Sequence, residues 1–239
     1  MTKHGGSTRN ETARNETAMN EETAQILDRA KTAMIVVDMQ NAFLSDEGSM
    51  TKGGMDITEL KKTVAPVMRL VDACHQADVP VIFTRYVLRA DYKDAGLRSE
   101  RRPEFKKINS LVAGTWDVEL DPRMDVQPRD YILDKTRYSS FYNTSLEVIL
   151  RGLRVDTVVD TLIVCGVTTE ICVESTIRDA YFRDYKICVP EDAVAAMDVE
   201  RHQGTLKTIQ YGFGRVSSSE AIISALGVTL NRQGSPLVG

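Results

Sequence analysis

The chain has 239 residues, with 30 Lys and Arg against 34 Asp and Glu and a formal net charge of −4. The two signs are mixed, which gives no reason to expect a nucleic-acid or anionic-membrane partner, and no apolar run approaches the roughly 18 residues of a membrane span. Cys74, Cys165, Cys172 and Cys188 form no CxxC pair and the N-terminal stretch lacks the apolar segment of a signal peptide, so free thiols in a reducing, cytoplasmic setting are expected.

The N-terminal stretch STRNETARNETAMNEETA carries a near-repeat of Arg-Asn-Glu-Thr-Ala with almost no apolar residues. It buries too little surface to offset its ordering entropy. A tail is expected over residues 1–30, with helical character near Glu21 to Arg29, then one domain over 31–230 and a loose end over 231–239.

Order begins with the apolar run Ala33 to Val37, suited to a central strand covered on both faces, and stops at Asp38. Asp38 is either a functional acid at a strand end or a loop or helix cap. Apolar residues at Ile57, Leu60, Val64, Val67, Met68, Val71 and Cys74 form a helical stripe. Pro66 requires a kink there or a helix that starts near it, and His75, at the end of the stripe, reads as a solvated helix residue. Val79 to Thr84 is the second strand, ending at Arg85-Tyr86.

Leu88 to Val112 is charged and shows no core periodicity; it is either a substrate-facing lid with an arginine for a carboxylate or a solvated excursion. Trp116, the only tryptophan, either lines a pocket or anchors the core. Asp130 to Lys135 is the third strand, with Lys135 at its end. In the loop that follows, Tyr138, Phe141 and Tyr142 either wall a pocket or pack the next helix, for which Thr144 and Glu147 have capping-box spacing.

Val-Asp-Thr then occurs at 155–157 and again at 159–161, a small local duplication before the run Leu162 to Val164. That run breaks at Gly166, turns through threonines and restarts at Ile171 with helical spacing, placing Cys172 in the first turn of a helix. Exposed N–H groups and the helix dipole favour a thiolate there, although a free cysteine is also a small hydrophobe suited to packing under a sheet. Lys186 to Val189 is a further strand, Asp198 opens a helix with His202 on its side, and Gly212 and Gly214 end it. Val216 belongs to a last strand and Ser217 to Leu226 to a closing helix.

Strands alternating with helices predict one parallel sheet covered on both faces, an α/β architecture in which strand ends share one edge. Asp38, Lys135 and Cys172 then converge as a Cys-Asp-Lys triad. Asp38 accepts the thiol proton, Lys135 favours the thiolate, and the backbone N–H groups of Thr168 and Cys172 form an oxyanion hole. Asn41, Phe43, Arg85, Trp116, Tyr138 and Tyr142 are the candidate substrate contacts.

The segments Val36-Val37-Asp38-Met39-Gln40-Asn41-Ala42-Phe43, Lys135, and Gly166-Val167-Thr168-Thr169-Glu170-Ile171-Cys172-Val173 resemble the isochorismatase-like cysteine hydrolases, in family order. The resemblance implies a six-stranded, mostly parallel sheet, catalytic Asp38, Lys135 and Cys172, a cis peptide at Val167-Thr168, and a homodimer or homotetramer. Nicotinamidases of the family bind a metal through an Asp and histidines after the second strand. Here that place reads Thr84-Arg85-Tyr86, and the only histidines are His4, His75 and His202, so no metal and no cofactor are expected. The segments from Lys135 to Thr144 and from Cys172 to Asp179 are most similar to ureidoacrylate amidohydrolases. The activity implied is hydrolysis of a C–N bond in a small ureido or amide substrate through a thioester, releasing ammonia or carbamate. Biuret or N-carbamoylsarcosine hydrolysis and vinyl-ether hydrolysis of the isochorismatase type are the alternatives.

Overall fold

The apolar run that opens the domain forms β1 (Thr32–Val37), buried at every residue and hydrogen-bonded on both edges. Such a run has no polar face to give to water, so both faces must be covered. The computed structural model describes residues 25–153 and 158–229. Along one edge β1 pairs with β2 (Val81–Tyr86), which pairs with β3 (Tyr131–Lys135). Along the other it pairs with β4 (Thr161–Val167), followed by β5 (Lys186–Pro190) and β7 (Arg215–Ser217). All these ladders are parallel, in the order β3-β2-β1-β4-β5-β7.

The expected six strands are joined by a seventh, β6 (Val194–Ala195). β5 covers only Thr161 to Ile163 of β4, and β6 pairs with the remaining Gly166 and Val167. The chain moves outward from β1 to β3 and then returns to the other side of β1 as β4. That reversal opens a crevice above the carboxyl ends of β1 and β4, where open α/β sheets bind ligands.

The stripe from Ile57 to Cys74 is realised as two helices, Thr58–Lys62 and Val64–Gln76, with the break at Thr63. Pro66 lies in the first turn of the second, where a missing N–H costs no helical hydrogen bond. His75 is buried rather than solvated: its Nε2 lies 2.9 Å from Asp130 Oδ1, a partner from just before β3 that helical periodicity cannot reveal. The capping box is not formed. Thr144 Oγ1 accepts from Leu146 N–H at 3.2 Å, while Glu147 pairs with Arg151 and Arg183.

Asp198 caps helix Val199–Gly212 by accepting from Arg201 N–H at 2.8 Å, and Ser218 caps the closing helix Ser219–Ala225. Before residue 31, Leu27 already packs into the core and Ile26 O accepts from Thr161 Oγ1, so the folded unit begins earlier than the expected boundary. Residues 1–24 of the expected N-terminal tail, the expected loose end over 231–239 and the first Val-Asp-Thr lie outside the described residues. No helix among the described residues is long and apolar enough to cross a membrane.

Candidate active site

Asp38 is the first residue beyond β1, in the left-handed backbone region with φ 52°. Its N–H donates to Thr84 O at 3.1 Å, and Thr84 Oγ1 donates to Asp38 Oδ1 at 2.9 Å. These bonds turn the side chain back over the sheet instead of leaving it to cap a helix. Lys135 ends β3, two strands away, and stands in register with Tyr86 of β2. It reaches across that residue, with Nζ 4.8 Å from the Tyr86 ring centroid. Nζ donates to Asp38 Oδ2 at 2.7 Å, to Tyr138 O at 3.0 Å and to Arg137 O at 3.2 Å. Both side chains are fully buried. Burial opposes the Lys135 ammonium, but Asp38 and Cys172 outweigh it, and its pKa lies above the ordinary lysine value.

Beside Asp38, β4 reaches its end through Gly166, at φ 105°. A Cβ there would lie 2.1 Å from Val37 O, so only glycine allows β1 and β4 to approach this closely. The Val167–Thr168 peptide that follows is cis, as the family resemblance implied. Cys172 then lies in a wide turn, Thr169–Val173, ahead of the regular helix Glu174–Tyr181. Val173 N–H donates to Thr168 O across five residues at 3.1 Å. Such wide turns are rare and recur at functional sites. The Thr176 hydroxyl donates to Cys172 O at 2.7 Å and accepts from Ser140 N–H at 3.0 Å, fixing this turn to the loop after Lys135.

The three expected residues therefore converge. Burial, rather than the helix dipole, dominates the environment of Cys172 and pushes its thiol up to about 12. Lys135 opposes that rise, whereas Asp38 adds to it.

A cavity of about 270 Å³ is lined by Cys172, Thr168, Phe43, Tyr86 and Tyr138 among others. A second cavity of about 720 Å³ shares Tyr86, Arg98, Arg102, Tyr138, Glu170 and Ile171 with it. Of the candidate contacts, Phe43 and Tyr138 line the first cavity and the other four do not. Arg85 is held by Asp134 at 2.8 Å and by Glu119 at 3.3 Å. Asn41 is buried and donates to Trp116 O at 2.9 Å, tying two loops together. Trp116 and Tyr142 are 51% and 60% exposed and lie away from the cavity lining, so Trp116 anchors no core.

Sequence reasoning missed Glu170, Phe105 and Met197 in the lining. Glu170 stood in plain view beside Cys172. One carboxyl oxygen, Oε2, is buried without a partner, and burial raises the pKa of the group above the ordinary value. His202, expected on the side of its helix, is half-buried, with Nδ1 3.0 Å from the hydroxyl of Thr169 in the wide turn. Phe105 is the one buried residue of helix Pro103–Lys107, a single side chain too isolated to give periodicity.

A buried acid-lysine pair and a cysteine turn thus stand together at the switch point of a parallel α/β sheet. The isochorismatase domain family matches residues 32–221, and the chain belongs to that family as an isochorismatase-like hydrolase. Among curated relatives, a ureidoacrylate amidohydrolase RutB of Methylobacterium radiotolerans is 36% identical over 84% of this chain and 82% of its own length. The enzyme of that name from Acinetobacter baylyi is 34% identical over 81% and 83%. Among solved structures, a cysteine hydrolase from Pseudomonas syringae pv. phaseolicola superposes with a TM-score of 0.77 at 34% identity, covering 84% of this chain and 95% of that one. An N-carbamoylsarcosine amidase from Thermoplasma acidophilum gives 0.64 at 29%, covering 80% and 97%.

Proposed function

We propose that this protein hydrolyses the C–N bond of a small ureido compound of the ureidoacrylate kind, with Cys172 as nucleophile, Asp38 as proton carrier and Lys135 as the charge that holds both. The observation that carries this reading is the juxtaposition of the solvent-shielded Asp38–Lys135 pair with Cys172 at the cavity wall. The names of the curated relatives support the ureido substrate.

A protonated thiol needs a base at the moment of attack. Asp38 takes the Sγ proton as Sγ bonds to the ureido carbonyl carbon. The oxyanion so formed is held by the N–H groups of Thr168 and Cys172. Its collapse breaks the bond to the substituted nitrogen, which leaves as an amine with the proton from Asp38. A carbamoyl thioester remains on Cys172. Asp38 next takes a proton from water, whose oxygen attacks the thioester. Carbamate is released and decays to ammonia and carbon dioxide, and the thiol regains its proton. Lys135 stays charged throughout and keeps Asp38 from being a lone buried charge.

The test is ammonia release from ureidoacrylate, biuret and N-carbamoylsarcosine and pyruvate release from isochorismate, with wild type and Cys172→Ala. Turnover of a ureido substrate that disappears in Cys172→Ala is the expected result. A fully active Cys172→Ala protein, or turnover of isochorismate alone, refutes the reading.

A further inference from the structure

The cavity at Cys172 carries three arginines, and they are not equivalent. Arg102 is exposed and faces Glu104 at 3.7 Å. Arg201 is exposed and interacts electrostatically with Glu170. Arg98 is half-buried and lines both cavities. Its guanidinium carbon lies 5.3 Å from the Tyr86 ring centroid and 5.1 Å from that of Phe105, two aromatic residues that are themselves buried. Among the described residues no carboxylate, carbonyl or hydroxyl accepts from its N–H groups. An arginine packed between aromatic faces is oriented by them, and its planar fork of five donors matches a carboxylate.

The three acids in the lining do not fill that role. Asp198 caps helix Val199–Gly212, and Asp56 is exposed and accepts from Thr58 N–H at 2.9 Å. Glu170 faces Thr168 and Arg201. Among the described residues, none of these acids pairs with Arg98, the one oriented cation of the cavity. The same Tyr86 ring bounds its distance from Lys135, whose Nζ lies 4.8 Å from that centroid, so the two cations are at most about 10 Å apart. A small acid with its carboxylate a few bonds beyond the scissile carbonyl spans such a gap.

Building on the proposed ureido chemistry, we propose that Arg98 is the specificity residue of this site: it receives the substrate's carboxylate as a bidentate pair and orients the ureido carbonyl at Cys172. Charge-assisted pairing of this kind in a half-buried cavity is what separates an acid from its neutral ester.

The experiment compares 3-ureidoacrylate with its methyl ester in wild type, Arg98→Gln, Arg102→Gln and Arg201→Gln. Arg98→Gln should lower kcat/KM for the acid on the order of 100-fold and leave the ester within a few-fold, with the other two variants close to wild type. Equal losses on acid and ester, or a loss on the acid caused by Arg102→Gln or Arg201→Gln and not by Arg98→Gln, would overturn the assignment. Calorimetric binding to Cys172→Ala separates this inference from the hydrolytic reading. Acid-selective binding that vanishes in Cys172→Ala/Arg98→Gln sustains it even if wild type turns over neither compound. Absent or non-selective binding refutes it.

Discussion

Lys135 Nζ lies 2.7 Å from Asp38 Oδ2, and neither side chain has any solvent-exposed surface. The two come from strands separated by β2, so the ion pair also staples the carboxyl edge of the sheet. Removing one partner leaves the other as a buried, unpaired charge. Lys135→Met and Asp38→Asn should each destabilise the fold by about 3–5 kcal/mol, while the double variant loses less than the sum. Urea unfolding of the four proteins measures this, and additive losses would show that the pair is not coupled.

A second donor fixes the same carboxylate. Thr84 Oγ1 is 2.9 Å from Asp38 Oδ1. Thr84→Val keeps the volume and strands that oxygen, for an expected loss of about 1–3 kcal/mol in stability. A fall in kcat with little change in KM is expected, and Thr84→Ser should restore most of it. Steady-state kinetics on the three proteins check the point.

Buried thiols tie stability to alkaline pH. Cys172 and Cys188 are pushed up to about 12, and Cys74 and Cys165 are also raised, all chiefly by burial. An unfolded thiol ionises near pH 9 while the folded one keeps its proton. The stabilisation is complete below the unfolded value and is lost as pH rises towards the folded one. Each thiol should therefore remove up to about 1.4 kcal/mol per pH unit above that point. Urea midpoints between pH 8 and pH 10.5 should fall steeply and fall less in Cys188→Ala; a flat profile contradicts the argument.

Gly166 tolerates no side chain. A Cβ would stand 2.1 Å from Val37 O and 2.7 Å from Val37 N, on backbone at φ 105°. Gly166→Ala should exceed about 4 kcal/mol of destabilisation and yield little soluble protein, whereas Gly152→Ala, with open space around it, should express normally. Soluble yield and melting temperature distinguish the two.

How much of this was legible in the chain depended on the length of each signal. β1 and β4 are apolar runs that end at Asp38 and, one residue past the expected break at Gly166, at Val167, so Asp38 and the turn that carries Cys172 could be placed at one edge. Lys135 was legible by the same logic. Arg85 satisfied that logic too and proved to be neutralised by Asp134, because strand register, which sets the pair face to face, leaves no trace in local pattern. His75 failed because its partner, Asp130, comes from a distant segment that helical periodicity does not reveal. The segment after β2 was opaque because Leu88, Tyr92, Phe105 and Leu111 are buried one at a time from loops and single-turn helices, with no period to detect.

That segment has closed ends. Leu88 pairs in parallel with Val112, with Leu88 N–H donating to Leu111 O and Ala113 N–H donating to Leu88 O, both at 2.8 Å. The chain thus leaves and re-enters the domain at one bridge, and the cost of closing such a loop changes only slowly with its length. Between those ends the segment sends Tyr92, Ala95 and Phe105 into the core and Arg98 to the cavity. On the proposed chemistry, side chains exchanged between those anchors change the mouth of the cavity, where Arg98, Arg102 and Phe105 stand, while the strands that carry Asp38 and Lys135 to the edge lie outside the segment.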